Sequence, residues 1–225
     1  MIISHRHKFI FVHIYKTAGT SINDCLIKYG RMRERLLHDF DFTRRMIMVI
    51  NKKFNLRWQD DGFSHILGLH NHSTAQEIKE YLGEQLFNQY FKFAFVRNPW
   101  DWQLSFYFFL KRIKTHQLYE LANNYNFPEF LKIHLDSQPP LLLDFLTDSQ
   151  GNIIVDKIGR LENIEQDFRE IIQKIALDPN LLVLPQKNVS ENRQRGYQSY
   201  YDQKSAALVA EYFQKDINYF QYTFE

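Results

Sequence analysis

Phe9 to Ile14 is apolar apart from His13 and rich in β-branched and aromatic residues, the pattern of a buried strand. A turn of small residues with one lysine follows, Lys16-Thr-Ala-Gly-Thr-Ser21, and a helix is expected from Thr20 to about Tyr29. The layout recurs downstream. Phe91 to Val96 is the clearest second apolar strand and ends at Arg97-Asn98-Pro99. Asn98 as N-cap and Pro99 at the first helical position start a helix from Trp100 to about Lys114. Between these units, Met46 to Ile50 reads as a strand or buried helix end, and Phe63 to Leu69 as a strand ending at His70-Asn71-His72. Thr74-Ala-Gln-Glu77 has the capping-box form and starts a helix to about Tyr90. Later, Pro128 and Pro139-Pro140 each begin a short helix. Ile153 to Ile158 and Leu181 to Leu184 read as strands, and Ile164 to Ala176 and Tyr201 to Phe213 as helices. Gln186 to Gln198 is a polar, basic loop. Strands alternating with helices predict an α/β fold with a mainly parallel central sheet flanked by helices on both faces. With no linker, repeat or low-complexity stretch, residues 1–225 read as one domain.

Composition narrows the class. Apolar residues make up 44% of the 225 and aromatics 16%, which argues against disorder. The 28 basic residues exceed the 26 acidic by only +2, which argues against a general nucleic-acid binder. The single cysteine, Cys25, excludes an internal disulfide and a cysteine-based zinc site, and suits a reducing compartment. No run of about 18 apolar residues is present, and the N-terminus lacks a signal-peptide pattern. The expectation is a soluble, cytoplasmic protein without a membrane span.

The candidate chemistry is anion binding. Ala18, Gly19, Thr20 and Ser21 are small enough for backbone N–H groups to approach an anion. Thr20 and Ser21 lie at a helix N-terminus, which favours negative charge, and Lys16 adds a full positive charge. This is not a Walker A loop, because the lysine precedes the only glycine. A second anion site is suggested where Arg97 ends the Phe91–Val96 strand and Ser105 follows two turns into the next helix. An arginine fork with a hydroxyl suits a dianionic phosphate beyond the carboxyl end of a sheet.

Taken together, the segment from Phe11 to Ser21 and the pattern Phe95-Val-Arg-Asn-Pro-Trp-Asp101, Ser105, Tyr107 closely resemble the sulfotransferase superfamily. The narrower likeness is to the family of heparan-sulfate and other carbohydrate sulfotransferases with bacterial members. The resemblance implies a P-loop-like fold and the donor 3′-phosphoadenosine 5′-phosphosulfate (PAPS), released as the desulfated nucleotide PAP. It implies that Lys16, Thr17, Gly19, Thr20 and Ser21 hold the 5′-phosphosulfate, and that Arg97 and Ser105 hold the 3′-phosphate. Val155 to Glu162 with Asp167-Phe168, and Tyr200 to Phe220, resemble the family's sheet-edge segment and closing helix. Two positions depart from the pattern. Tyr15 stands where the family usually has proline, and Trp102 where an arginine commonly follows Trp-Asp.

Sulfuryl transfer needs an acceptor hydroxyl made more nucleophilic and a leaving phosphate made less basic. Lys16 is placed to neutralise charge on the leaving oxygen. Among nine histidines, position selects His72 as general base: it ends a strand, precedes a capped helix and lies between the two phosphate motifs. His72-Ser-Thr-Ala75 also resembles the family segment that carries the catalytic histidine. His70 is a weaker candidate for the substrate side, and His13 reads as a satisfied core histidine. The basic loop with Lys187, Arg193, Arg195 and Tyr197 reads as a solvated charge run, as a segment that closes over the nucleotide or as one that meets an anionic sugar; the resemblance points to donor binding for Arg193 and Tyr197. The arginines between Arg31 and Arg45 read as a solvated face, and Arg160 and Glu162 as an ion pair at the sheet edge. No metal-ligand spacing is present. The expected acceptor is a hydroxyl of a saccharide or glycolipid. Competing readings are a P-loop-type kinase using ATP or GTP, disfavoured by the missing Walker spacing, and a non-catalytic module binding a nucleotide or sulfated glycan. The acceptor's identity and the oligomeric state are not encoded in any motif.

Overall fold

A computed structural model describes residues 1–30, 69–178, 184 and 196–225. Among these, four strands form one sheet in the order β1 (Ile2–Ser4), β2 (Phe9–Val12), β3 (Phe91–Val96), β4 (Lys157–Arg160). β1 pairs antiparallel with β2, while β2, β3 and β4 run parallel. The mainly parallel sheet expected from the strand–helix alternation is present.

The period-2 geometry of the strands splits the core in two. Phe9, Phe11, Phe93 and Phe95 face one side. They pack with Ile22, Cys25 and Leu26 of α1 (Gly19–Leu26) and Phe168, Ile171 and Ile172 of α7 (Ile164–Lys174). Ile10, Val12, Ala94 and Val96 face the other side. That layer includes α2 (Ala75–Leu82), α3 (Glu84–Gln89), α4 (Pro99–Leu110), α5 (Tyr119–Asn124), α6 (Phe127–Asp136), α8 (Gln203–Tyr212) and α9 (Gln214–Phe220). Strands buried on both faces explain why β2 reads as an unbroken apolar run and β3 as one interrupted only by Lys92, which pairs with Asp156 at 2.9 Å.

Several elements differ from their sequence expectation. β1 was not anticipated: it is three residues long and gains its pairing only through the hairpin to β2. β2 ends at Val12 rather than Ile14, because the chain turns into the loop before Lys16. The expected helix from Thr74 to Tyr90 is two helices broken at Gly83, whose φ of 79° lies in the left-handed region. The strand expected over Ile153 to Ile158 lies at Lys157–Arg160. Its start is set by pairing with β3 (Phe93 opposite Lys157) and by Asp156, which accepts from the Lys92 amide at 2.7 Å. Pro139-Pro140 opens no α-helix; a three-residue 3-10 turn, Leu143–Phe145, follows. The last helix breaks at Phe213. Asn98 and Thr74 cap as expected, through the Trp100 and Glu77 amides. Met46 to Ile50, the strand expected over 63–69 apart from Leu69, the strand over 181–184 apart from Leu184, and the arginines between Arg31 and Arg45 lie outside the described residues, as do Lys187, Arg193 and Arg195.

Candidate active site

Parallel strands β2 and β3 end side by side, so the loops that follow them meet. The first loop carries its own strain. Lys16 (φ 63°) and Ala18 (φ 64°) are left-handed, while Thr17 and Gly19 are not. Each such non-glycine residue costs roughly 1–3 kcal/mol, and such strain persists where the surroundings fix it. Alternating handedness of this kind turns successive N–H groups toward one concavity, the arrangement that binds anions. Ala18 is the N-cap of α1 and has no capping side chain, and no acidic residue occupies the first turn. The first N–H groups of α1 are therefore not taken up by a cap side chain. The buried Thr17 hydroxyl donates to the Ile14 carbonyl at 2.8 Å, so this side chain ties the loop internally. Ser21 is buried, and Thr20 is exposed at the helix start.

The second loop clamps the first. Arg97 donates through Nε to Asp101 Oδ2 at 2.7 Å and through Nη1 to the Lys16 carbonyl at 3.1 Å. Asp101, Ser105, Phe109 and Arg112 recur at helical spacing along one stripe of α4 and its exit turn. Phe109 carries the Lys16 ammonium 4.6 Å above its ring. Burial first, then the charges of Arg97 and Arg112, bring the Lys16 pKa down to about 8. Among the described residues no carboxylate pairs with Lys16. Among the described residues Lys16 thus lies beside Arg97 and feels the charge of Arg112, while the carboxylate of Asp101 is engaged on Arg97. Arg112 carries no sequence motif; only the α4 stripe identifies it. Ser105 is buried within that stripe.

His72 approaches from the segment before α2. Its Nδ1 lies 3.0 Å from the His13 carbonyl. A carbonyl can only accept, so Nδ1 carries a proton, and in the neutral ring Nε2 holds the lone pair. His70 is turned toward the helix cap: its Nδ1 accepts from the His72 amide at 3.2 Å, and its Nε2 lies 3.7 Å from Glu77. His13 is not the satisfied core histidine expected from the sequence. It lies beyond the end of β2, its Nδ1 is buried without a hydrogen-bond partner, and its ring lies 4.5 Å from that of His72. Tyr197 meets the residue that follows Arg97. Its hydroxyl accepts from Asn98 Nδ2 at 3.3 Å and donates to the Phe224 carbonyl at 2.8 Å, which makes it a strut for the C-terminal segment.

A family model described as the sulfotransferase family matches residues 1–223. The chain belongs to the sulfotransferase family. An uncharacterized protein of Archaeoglobus fulgidus is 35% identical over 109 residues, 48% of this chain and 85% of that protein. No solved structure matches the chain significantly. Membership brings sulfuryl transfer, a sulfuryl donor and an acceptor as the general chemistry.

Within the family pattern, the two departures, Tyr15 and Trp102, are one feature. Trp102 Nε1 donates to the Tyr15 carbonyl at 2.7 Å, and the two rings lie 4.8 Å apart at 33°. Tyr15 also meets Phe106 at 5.3 Å and the edge of His72 at 6.0 Å. The aromatic pair, joined by a backbone hydrogen bond, braces the residue before Lys16. The expected Arg160–Glu162 ion pair is absent. Glu162 accepts from the Asn98 amide at 2.7 Å and from the Tyr222 hydroxyl at 3.2 Å, while Arg160 reaches the Phe220 carbonyl. Each holds the sheet edge through a different partner. Among the described residues no group of acidic, histidine or cysteine side chains could hold a metal, and no helix is long and apolar enough to cross a membrane.

Proposed function

We propose that this family member transfers the sulfuryl group of PAPS to a hydroxyl of a saccharide or glycolipid, with residues 1–225 acting as one domain. The observation that carries the reading is the clamped loop. A nest of alternating handedness with helical N–H groups free of a cap side chain holds Lys16 beside Arg97, within the field of Arg112, and among the described residues no carboxylate pairs with it. Among the described residues the cations of this site outnumber its carboxylates, and the 5′-phosphosulfate fits it.

The backbone of Lys16 to Ser21 would receive the 5′ group, with Thr17 contributing its amide, since its hydroxyl is turned inward. Arg97 and Ser105 would hold the 3′-phosphate, and Arg193 and Tyr197 the nucleotide side. Once bound, the donor supplies the sulfuryl group and a phosphate leaving group. Lys16 balances the negative charge that grows on the leaving oxygen, in a partly desolvated setting where that charge is worth most. His72 Nε2 takes the proton of the acceptor hydroxyl as the new O–S bond forms. His70, two residues before His72, would contact the acceptor.

The test is transfer from labelled PAPS to an acceptor panel, with mass spectrometry of the product. Lys16→Ala should abolish transfer. His72→Ala should remove turnover and leave PAP binding intact. Full activity in His72→Ala would remove it as base, and turnover with ATP and magnesium but not PAPS would replace the reading with a kinase.

A further inference from the structure

Gly19 opens α1, and the space where its Cβ would stand is occupied by the imidazole of His13. A methyl there would lie 1.6 Å from His13 Nε2, 1.9 Å from Cδ2 and 2.6 Å from Cε1. The His13 ring therefore rests edge-on against the backbone of the anion loop. Its other neighbour is His72, with ring centroids 4.5 Å apart at 56°, and Phe11 stacks on it at 5.6 Å and 19°. The carbonyl of the same residue accepts from His72 Nδ1. His13 thus touches the loop once and the candidate base twice. A buried nitrogen without a partner costs free energy, which an apolar side chain would avoid. Burial, the N-terminal ammonium and His72 all hold this imidazole neutral, so it adds no charge to the site.

We propose that the His13 side chain is a positioning residue that sets the separation between the anion loop and His72. The inference rests on the reading of that site as a sulfuryl-transfer centre. The ring acts as a spacer of fixed thickness: Gly19 is bare on one side so that it fits, and His72 is stopped against the other. Gly19 is required here for lack of a side chain, since its own φ is not left-handed.

Substitution at residue 13 leaves its backbone carbonyl in place, so the bond to His72 survives and the ring alone is tested. Loss of the spacer lets the base drift, and a misplacement of about 1 Å costs on the order of 100-fold. His13→Ala should lower kcat roughly 10- to 100-fold while the PAP Kd by calorimetry stays within about threefold. His13→Phe, which restores a ring, should recover most of kcat. Unchanged kcat in His13→Ala, equal loss in the Ala and Phe variants, or a parallel loss of PAP affinity would each overturn the proposal.

A second measurement needs no substrate. Gly19→Ala should lower the melting temperature in the wild-type background and have little effect in His13→Ala, where the space is open. Additive shifts would overturn the contact. If the wild-type protein transfers no sulfuryl group, the functional reading fails, and the melting cycle still decides whether His13 spaces the loop from the histidine.

Discussion

Arg97 donates to the backbone carbonyl of Lys16 at 3.1 Å, so the loops after β2 and β3 hold each other through a main-chain atom. Residues 81 positions apart are joined because parallel β2 and β3 end together. The guanidinium is aligned by Asp101, and both side chains are mostly buried, 12% and 16% exposed. Asp101→Ala should therefore loosen both loops. A hydrogen bond to a charged group contributes about 1.5–3 kcal/mol, and urea unfolding should show a loss in that range. PAP affinity should fall with it; unchanged stability and affinity would mean that Arg97 is held by other contacts.

Nucleotide affinity should depend on pH through Lys16. Its pKa of about 8 means that the free protein loses this charge as pH rises through 8. An anion binds the protonated form, so PAP affinity should be full below pH 8 and weaken above it, with a proton taken up on binding. Calorimetry in buffers of different ionisation enthalpy reads that proton. Lys16→Arg, whose charge does not titrate, should remove the dependence in this window.

The Tyr15–Trp102 pair should behave as a unit. Aromatic pairs contribute about 0.5–1.5 kcal/mol beyond their burial. A double-mutant cycle with Tyr15→Ala and Trp102→Phe should give a coupling of that size in unfolding free energy. Zero coupling would show that the two departures from the family pattern are independent.

His134 on α6 should make the protein acid-sensitive. Both its ring nitrogens are buried without hydrogen-bond partners, between Phe106 and Phe130. Burial, then the charge of His116, brings its pKa down to about 4. The unfolded state binds the proton more readily, so this histidine costs stability progressively as pH falls from about 6.5 toward 4. His134→Leu should raise stability at pH 7 by about 1 kcal/mol and by more at pH 5. Asp216 works in the opposite sense: burial raises its pKa to about 6. The difference between variant and wild type at each pH isolates the histidine.

The caps and apolar runs were legible because their causes are local. Asn98-Pro99, the Thr74–Glu77 box and the runs of β2 and β3 need only neighbouring residues and the burial of both sheet faces. The two loops proposed as phosphate sites could likewise be picked out from their sequence pattern. The break at Gly83 and the late start of β4 could not, since a backbone angle and a strand register decide them. Arg112 and the true setting of His13 were equally hidden, because each acts on residues brought near only by folding.

The chain alone determined the α/β class, two loops after apolar strands, the first carrying Lys16 and the second Arg97, and the capped helix that follows His72. Local sequence suffices there because turn chemistry, helix capping and strand burial are short-range effects. Tertiary structure alone decided that Arg97 closes on Lys16, that Tyr15 and Trp102 brace each other, and that His13 lies between Gly19 and His72. Apart from His13 with Gly19, those contacts join segments far apart in the chain, and the parallel pairing of β2 with β3 brings the loops of Lys16 and Arg97 to one place.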